Sequence, residues 1–227
     1  MILTHGANSI VRGGGGGGNY VNIGGRDYPY VKIGNQLWMA ENLDYAWEEL
    51  LVGVDHSSSE PRASYFNNDE TTYGAGGLKY GLLYNWSAEK NLTANQSKLL
   101  PSGWHIPSYS ECATLITKCG TPQQAYARLT ADHGWDDNGE WDGVSPHGFN
   151  MPMSGQYADG KYGWCDPPTS SMYAGGVLRT RDANYDNPNY PRPYVFKILR
   201  SVSEVLLNTA GYNLSMQFSI RLVKDVQ

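Results

Sequence analysis

The sequence contains one segment with a complete set of helix signals, Ser108-Tyr-Ser-Glu-Cys-Ala-Thr-Leu-Ile-Thr-Lys-Cys-Gly120. Ser108 follows a proline and stands three residues before Glu111, which is the pattern of a capping box. Gly120 is suited to the residue that follows a helix C-terminus. Apolar side chains recur at helical spacing on one face: Cys112, Leu115, Ile116 and Cys119. The segment therefore predicts an amphipathic helix with this face buried.

Shorter patterns on both sides of this helix predict the other elements. Thr121 and Pro122 are a typical cap and first residue of a second helix, which runs to Leu129. Upstream, residues 28–39 alternate about a Gly-Asn turn and predict a β-hairpin. Residues 53–79 are rich in Gly, Ser, Asn and Asp, which is typical of a long loop. Three apolar segments predict a terminal antiparallel sheet: Phe196–Leu199, Ser203–Leu207 and Ser215–Val223.

The chain divides into a head with a tether, residues 1–25, and a folded domain, residues 26–227. Gly13 to Gly18 is an unbroken run of six glycines. Such a run is flexible, and it fits either a solvated tail or a leash between a docking peptide and the body. A phosphate-binding loop is a poor third interpretation, because neither a Lys-Ser/Thr pair nor a helix start follows the run.

Five segments together resemble the Fibrobacter succinogenes major paralogous domain, a family of gut bacteria and their phages. They occur in the family's order: Val31–Leu43, Tyr80–Trp86, Leu100–Ser108, Gly148–Phe149 and Phe218–Asp225. The resemblance covers roughly residues 26–225. The sequence departs from the family between residues 164 and 213, where Gly175–Thr180 replaces a Trp-Ser-Ser-Thr segment. It also has Leu222 where many members have Cys.

This family is similar to C-type-lectin-like folds, so the resemblance implies an α+β domain with two short helices, a small antiparallel sheet and long loops. Related folds include the formylglycine-generating enzymes and the variable proteins of diversity-generating retroelements. Within the shared motifs, large aromatic side chains are expected to anchor the core: Trp38, Trp86, Trp104 and Phe149.

Composition excludes several classes of function. The chain has 17 Lys and Arg against 22 Asp and Glu, a net charge of −5, and no basic cluster, so nucleic acid is not an expected partner. The start lacks the pattern of a secretory signal, and no apolar run reaches membrane-spanning length, so folding in the cytoplasm without membrane insertion is expected. The localisation stays open, since a virion or cell-surface assembly released by lysis fits equally.

Neither a metal nor catalysis is expected. Cys112 and Cys119 are two helical turns apart, about 10 Å, which is too far for a disulfide, and Cys165 is isolated. Calcium binding by Glu41 and Asn42 is conceivable, but backbone and capping contacts are the preferred interpretation. His105 is expected to be packed rather than catalytic. An acidic group in a Trp-rich segment is expected to be solvated: Asp132, Asp136, Asp137, Glu140 and Asp142.

The candidate ligand-binding residues lie in the interval 156–194, which is dense in Tyr, Asn and Arg. This composition is typical of binding surfaces, because rigid rings give contact area and Arg adds multiple donors. The expected exposed cluster consists of Tyr157, Tyr162, Trp164, Tyr173, Arg179, Arg181, Tyr185, Tyr190 and Tyr194. The alternative is that these side chains only pack long loops over the core.

We therefore expect a non-catalytic display domain that binds a cell-surface protein or glycan and needs no cofactor, such as a phage or prophage adhesin diversified by a retroelement. The alternative is a structural subunit of a phage tail or surface assembly, attached through residues 1–18. An enzyme is the third hypothesis.

Overall fold

The computed structural model describes residues 19–53, 59–130, 148–158, 160–165, 175–186, 192–209 and 215–226, and the side chains of Trp164, Cys165 and Thr209 lie outside the described part. The described strands are β1 (Tyr20–Ile23), β2 (Arg26–Ile33), β3 (Gln36–Met39), β4 (Leu51–Val52), β5 (Arg62–Ser64), β6 (Leu83–Tyr84), β7 (Ser154–Ala158), β8 (Lys161–Cys165), β9 (Gly175–Asn184), β10 (Arg192–Leu199), β11 (Glu204–Thr209) and β12 (Val223–Asp225). The described α-helices are α1 (Glu70–Tyr73), α2 (Trp86–Ala94), α3 (Gln96–Leu99), α4 (Tyr109–Cys119) and α5 (Pro122–Leu129). The chain is therefore an α+β protein.

The described strands form three sheets rather than the one small sheet expected from the sequence. Their strand orders are β1-β2-β3-β12, β11-β10-β9-β7-β8 and β4-β5-β6. Most neighbours are antiparallel, but β7 runs parallel to β9 and β4 runs parallel to β5. The missed strands lie largely in Gly- and Ser-containing stretches, where local composition favours loops.

The N-terminal sheet begins earlier than the predicted domain boundary at residue 26. Strand β1 pairs antiparallel with β2, with Val21 opposite Tyr28 and Ile23 opposite Arg26. The Val21 and Ile23 side chains are buried in a core cluster, while their neighbours Tyr20 and Asn22 are exposed. Residues 20–23, assigned to the tether from sequence, therefore belong to the folded body. Residues 1–18 lie outside the described residues.

The predicted β-hairpin is confirmed, with Gly34 and Asn35 between β2 and β3. The predicted third strand of the terminal sheet is wrong. Strands β10 and β11 pair as expected, but the segment 215–223 does not join them as a strand. Gln217 instead pairs with Tyr157, Phe218 pairs with Tyr84, and β12 pairs with β3. One short segment thus shares its backbone hydrogen bonds among all three sheets.

Both predicted helices are confirmed. Ser108 caps α4 in a complete capping box with Glu111, and Thr121 caps α5 in the same way. Gly120 follows α4 with a φ of 102°, a conformation that favours glycine. Helix α2 was missed; the Asn85 side chain caps it by accepting a hydrogen bond from the Ala88 backbone.

The core connects the sheets and the helices. Helices α4 and α5 pack Leu115 and Leu129 against the five-stranded sheet, in a cluster that also includes Trp38 and Phe149. Trp104 is buried as expected, but Trp86 is only half-buried, with Lys90 Nζ 4.5 Å from the centre of its ring. Among the described helices, none combines the length and apolar character needed to cross a bilayer.

Candidate functional site

The ends of three strands bring much of the candidate interval to one edge of the five-stranded sheet. Strands β7 and β9 are parallel, so both finish at the same end. Strand β10 is antiparallel to β9 and starts there, with Arg192 opposite Asn184. The C-terminal half of β7, the segment 181–185 and the start of β10 therefore face the same end of the molecule.

Four side chains at this end form what we call the tyrosine–arginine face: Tyr109, Arg181, Tyr185 and Tyr194. The rings of Tyr109 and Tyr194 pack edge to face with their centres 4.9 Å apart. Tyr109 is 40% exposed, Tyr185 is 57% exposed, and the Arg181 side chain is 41% exposed. Three of the four were predicted from the sequence, and Tyr109 was not.

Backbone contacts hold this face in place. The Arg181 N–H donates to the Pro107 carbonyl at 2.9 Å, and the Tyr109 N–H donates to Asp182 Oδ2 at 2.5 Å. These bonds join the N-terminus of α4 to the end of β9. The Tyr185 backbone lies in a turn where Asn184 Oδ1 accepts from the Asp186 N–H at 2.7 Å. The exposed rings thus stand on a fixed framework, which lowers the entropy lost when a partner binds.

An ion pair lies beside Arg181. His105 Nε2 contacts Glu111 Oε1 at 2.7 Å, and Arg181 Nη2 lies 3.7 Å from Glu111 Oε2. Burial tends to raise the pKa of Glu111, but hydrogen bonds from His105 and Ser108 outweigh it and lower that pKa to about 2. The hydrogen bond to Glu111 raises the pKa of His105 despite its partial burial. Both ring nitrogens of His105 are occupied, since Nδ1 lies 3.0 Å from the Gly103 carbonyl, which agrees with the packed role expected for it.

Tyr157 and Tyr162 form a second pair, on β7 and β8. Their rings pack edge to face with centres 5.0 Å apart, and both side chains are half-buried. The Tyr162 hydroxyl donates to Ser64 Oγ at 2.8 Å, and its ring packs 5.2 Å from that of Phe66. Burial raises the pKa of Tyr162. Tyr157 and Tyr162 therefore pack at the end of the sheet and contribute little exposed surface.

Arg179 is not on the surface, and its expected exposure is wrong. The side chain is 0% exposed, donates from Nη2 to the Met216 carbonyl at 3.1 Å and lies over the rings of Trp86 and Phe218. Burial lowers the pKa of Arg179 to about 10, and the negative charge of Glu89 partly offsets this effect. The long side chain follows the inward face of β9, where the sequence pattern around it gave no sign of burial.

Some predicted residues lie outside the described part of the chain. Tyr173, Tyr190 and the whole acidic group over residues 132–142 are among them. Trp164 lies on β8, but its side chain is not described. Tyr109 was missed because it belongs to α4 rather than to the Tyr-rich interval. Tyr109 is the first residue of α4, and its spacing from Cys112 and Ile116 places it beside the apolar face, so the helix pattern gave no signal of its 40% exposure.

The suggested calcium ligands have other partners. Asn42 is buried, donates to the Tyr80 carbonyl at 2.9 Å and accepts from Arg221 Nε at 2.7 Å. Glu41 pairs with Arg26 at 2.7 Å and with Lys79 at 3.3 Å. Within the described residues, no three His, Cys, Asp or Glu side chains gather as a metal site requires. Cys112 and Cys119 are buried and unpaired, as predicted.

A comparison with protein-family models shows which family the chain belongs to. The model of the Fibrobacter succinogenes major domain matches residues 31–224, which is most of the chain. The chain belongs to this family. The match includes α4, the turn between β2 and β3, and the segment 215–223, whereas β1 and the first part of β2 precede it. Searches of curated proteins and of solved structures found no match.

Proposed function

We propose that this member of the Fibrobacter succinogenes major domain family is a non-catalytic display domain that binds a cell-surface protein or glycan through its tyrosine–arginine face. The observation that carries the proposal is the exposure of Tyr109, Arg181 and Tyr185 on a hydrogen-bonded framework at one end of the sheet. Tyr194 completes the face by packing against Tyr109.

The chemistry of these side chains suits recognition. Tyrosine offers a large contact area and a hydroxyl while restricting only two side-chain torsions on binding. Arginine adds a planar fork of donors that matches carboxylates and hydroxyl pairs. Because Arg181 lies 3.7 Å from Glu111, part of its charge is already balanced, and its outward donors are oriented before a ligand arrives.

The family resemblance extends the proposal to the biological role. The α+β architecture is compatible with a C-type-lectin-like framework, in which variable loops display binding residues. The Tyr-rich interval precedes a closing Ile220-Arg-Leu-Val223 segment, as in the variable proteins of retroelements. On this basis we infer a phage or prophage adhesin, with diversification of the exposed positions by a retroelement.

A glycan array and a panel of intact gut bacterial cells test the proposal. The purified protein should bind a defined subset, and Tyr185→Ala or Arg181→Ala should each weaken binding by about 2 kcal/mol if they are central contacts. The matched controls are Leu51→Ala and Lys98→Ala, which truncate exposed side chains outside this face.

Equal loss in the controls, or unchanged binding in both face variants, would contradict the proposal. If the face variants bind normally while removal of residues 1–18 abolishes incorporation into a particle, the chain is instead a structural subunit of an assembly. Thermal melts of each variant distinguish lost contacts from lost folding, since exposed substitutions should change stability by less than about 0.5 kcal/mol.

A further inference from the structure

A cleft lined by both apolar and charged residues lies beside the N-terminal sheet and shares no residue with the tyrosine–arginine face. Its volume is about 760 Å³, which is within the range of small-molecule sites. Tyr20 forms an aromatic part of the wall, small and apolar residues such as Ala40 and Leu78 form much of the rest, and five charged residues project among them: Arg26, Asp27, Glu41, Lys79 and Arg221. We call it the Lys79 cleft.

Positive charge exceeds negative charge on the wall of this cleft. Three cations face two carboxylates there, although the whole chain has a net charge of −5. Asp44 lies outside the lining but pairs with Arg26 at 3.0 Å and offsets its charge, so the cations left to attract an anion are Lys79 and Arg221. Cations gathered in a cleft raise the local concentration of anions, because the protein wall screens the charges less than water does.

Glu41 is shared by two of the cations. Its Oε2 accepts from Arg26 Nη2 at 2.7 Å, and its Oε1 contacts Lys79 Nζ at 3.3 Å. Asp44 also pairs with Arg26 at 3.0 Å, so Glu41 and Asp44 together balance Arg26 and Lys79, and the 45% exposed Lys79 side chain keeps further donors for a ligand.

Arg221 supplies a buried charge at the base of the cleft. It is 0% exposed and donates to Asn42 Oδ1 and to the carbonyls of Phe149 and Asn150. None of these partners is charged, and among the described residues no carboxylate lies within 4 Å of its guanidinium. The Glu41 carboxylate already raises the pKa of Arg221 from beyond contact distance, against the burial that lowers it, and a second anion in the cleft would stabilise the same charge.

The backbone at Lys79 is also unusual. Its φ is 58°, in the left-handed region that side chains other than Gly, Asn and Asp rarely adopt. The Lys79 N–H donates to the Gly74 carbonyl at 3.1 Å, which fixes this conformation in a turn. Glycine would adopt this conformation without strain, so a lysine at this position carries an energetic cost.

We propose that the Lys79 cleft binds a small carboxylate-bearing sugar, of the uronic-acid kind. The ligand carboxylate pairs with Lys79 above the buried charge of Arg221. The hydroxyl groups donate to Asp27, an exposed residue whose Oδ1 already accepts from Asn22 at 2.7 Å, and the sugar ring lies along Tyr20. The two acidic side chains favour a polyhydroxylated acid over a bare carboxylate, since carboxylates accept hydrogen bonds from hydroxyl groups.

The test is an amide chemical-shift titration of the full chain with sodium glucuronate, glucose and sodium acetate at matched ionic strength and neutral pH. Glucuronate, added up to about 50 mM because single sugars often bind in the millimolar range, should shift amides around the cleft. Glucose and acetate should each bind at least about tenfold more weakly, since each lacks one half of the recognised chemistry.

Lys79→Gln should weaken glucuronate binding at least about tenfold, and Lys79→Arg should restore it, because only the latter keeps the charge. Lys98→Gln is the matched control: Lys98 is exposed, lies 3.6 Å from Glu49 and is outside the cleft, so its removal should change nothing. The absence of cleft shifts with glucuronate, equal binding of glucose, or unchanged binding by Lys79→Gln overturns the proposal. Equal binding of acetate overturns the assignment to a sugar acid.

Discussion

His105 and Glu111 join the motif segment 100–108 to the first turn of α4 through a contact of 2.7 Å. The pKa of His105 is raised from 6.5 by its hydrogen bond to Glu111. A raised histidine pKa adds stability that is complete below the unfolded value and is lost as the pH rises through the folded value. The pKa of Glu111 is lowered to about 2, so this carboxylate stays ionised throughout that interval.

His105→Gln should therefore destabilise the protein most below pH 6.5 and progressively less as the pH rises. The measurement is the free energy of urea unfolding of both proteins at several pH values. Lys118→Gln, an exposed change elsewhere on α4, is the control and should leave the pH profile unchanged. A stability difference that stays constant or grows with increasing pH would show that the His105–Glu111 pair is not charged in the folded state.

Arg179 was expected on the surface from the sequence but is buried in the structure, and a substitution tests this burial. Its removal leaves Glu89, also 0% exposed, with Lys90 but without Arg179, the more effective of the two positive charges that lower its burial-raised pKa. Arg179→Ala should lower the free energy of unfolding by more than about 2 kcal/mol, because it opens a cavity and removes a compensating charge from beside a buried carboxylate. Arg181→Ala, two residues further along the same strand and exposed, should cost less than about 0.5 kcal/mol. Similar values for the two variants in urea melts would refute the buried position of Arg179.

At the scale of elements, α4 depends on its cap and on its buried face. Ser108→Ala should cost about 0.5–2 kcal/mol, because the Glu111 N–H loses its acceptor. Leu115→Ala should cost about 2–5 kcal/mol, since Leu115 is 1% exposed and its truncation leaves a cavity. Thr117→Ala, an exposed change on the same helix, is the control. If Leu115→Ala and Thr117→Ala gave the same urea midpoint, the assigned buried face would be incorrect.

Sequence predicted the elements whose signals are local. The capping boxes of α4 and α5 and the Gly-Asn turn each lie within a few residues, and all three are present. The sequence did not predict α2, because its cap, Asn85, stands inside the apolar run Tyr80–Trp86 and does not mark a helix start there. The place of β12 depends on β3, nearly 190 residues earlier, and no local pattern carries that information.

The sequence also predicted only part of the candidate site, because the other part depends on contacts between distant segments. Composition marked the interval that contains three residues of the tyrosine–arginine face, Arg181, Tyr185 and Tyr194, at one end of the sheet. Alternation along β9 did not reveal that Arg179 points inward, because the strand is buried continuously from Gly175 to Thr180. Tyr109 joins the face only because β9 docks on the start of α4, which is a tertiary contact.

At the scale of the whole molecule, the folded body begins with β1, which lies before the boundary at residue 26 expected from the sequence. Strand β1 is the edge of its sheet, and Asn19 accepts a hydrogen bond from the Tyr30 N–H at 2.8 Å. Val21 and Ile23 belong to the cluster that contains Tyr28, Met39 and Trp104. Their removal exposes apolar surface of the core.

A chain that starts at residue 19 should keep the stability of the full chain, whereas one that starts at residue 26 should lose about 3–6 kcal/mol. That estimate is the transfer of two buried aliphatic side chains back to water. Urea unfolding of the three chains measures the difference. In the full chain, Val21→Ala with Ile23→Ala should reproduce most of the loss, while Asn22→Ala, the exposed residue between them, should not. If the chain from residue 26 unfolded at the same urea concentration as the full chain, β1 would be a surface attachment and the sequence-based boundary would stand.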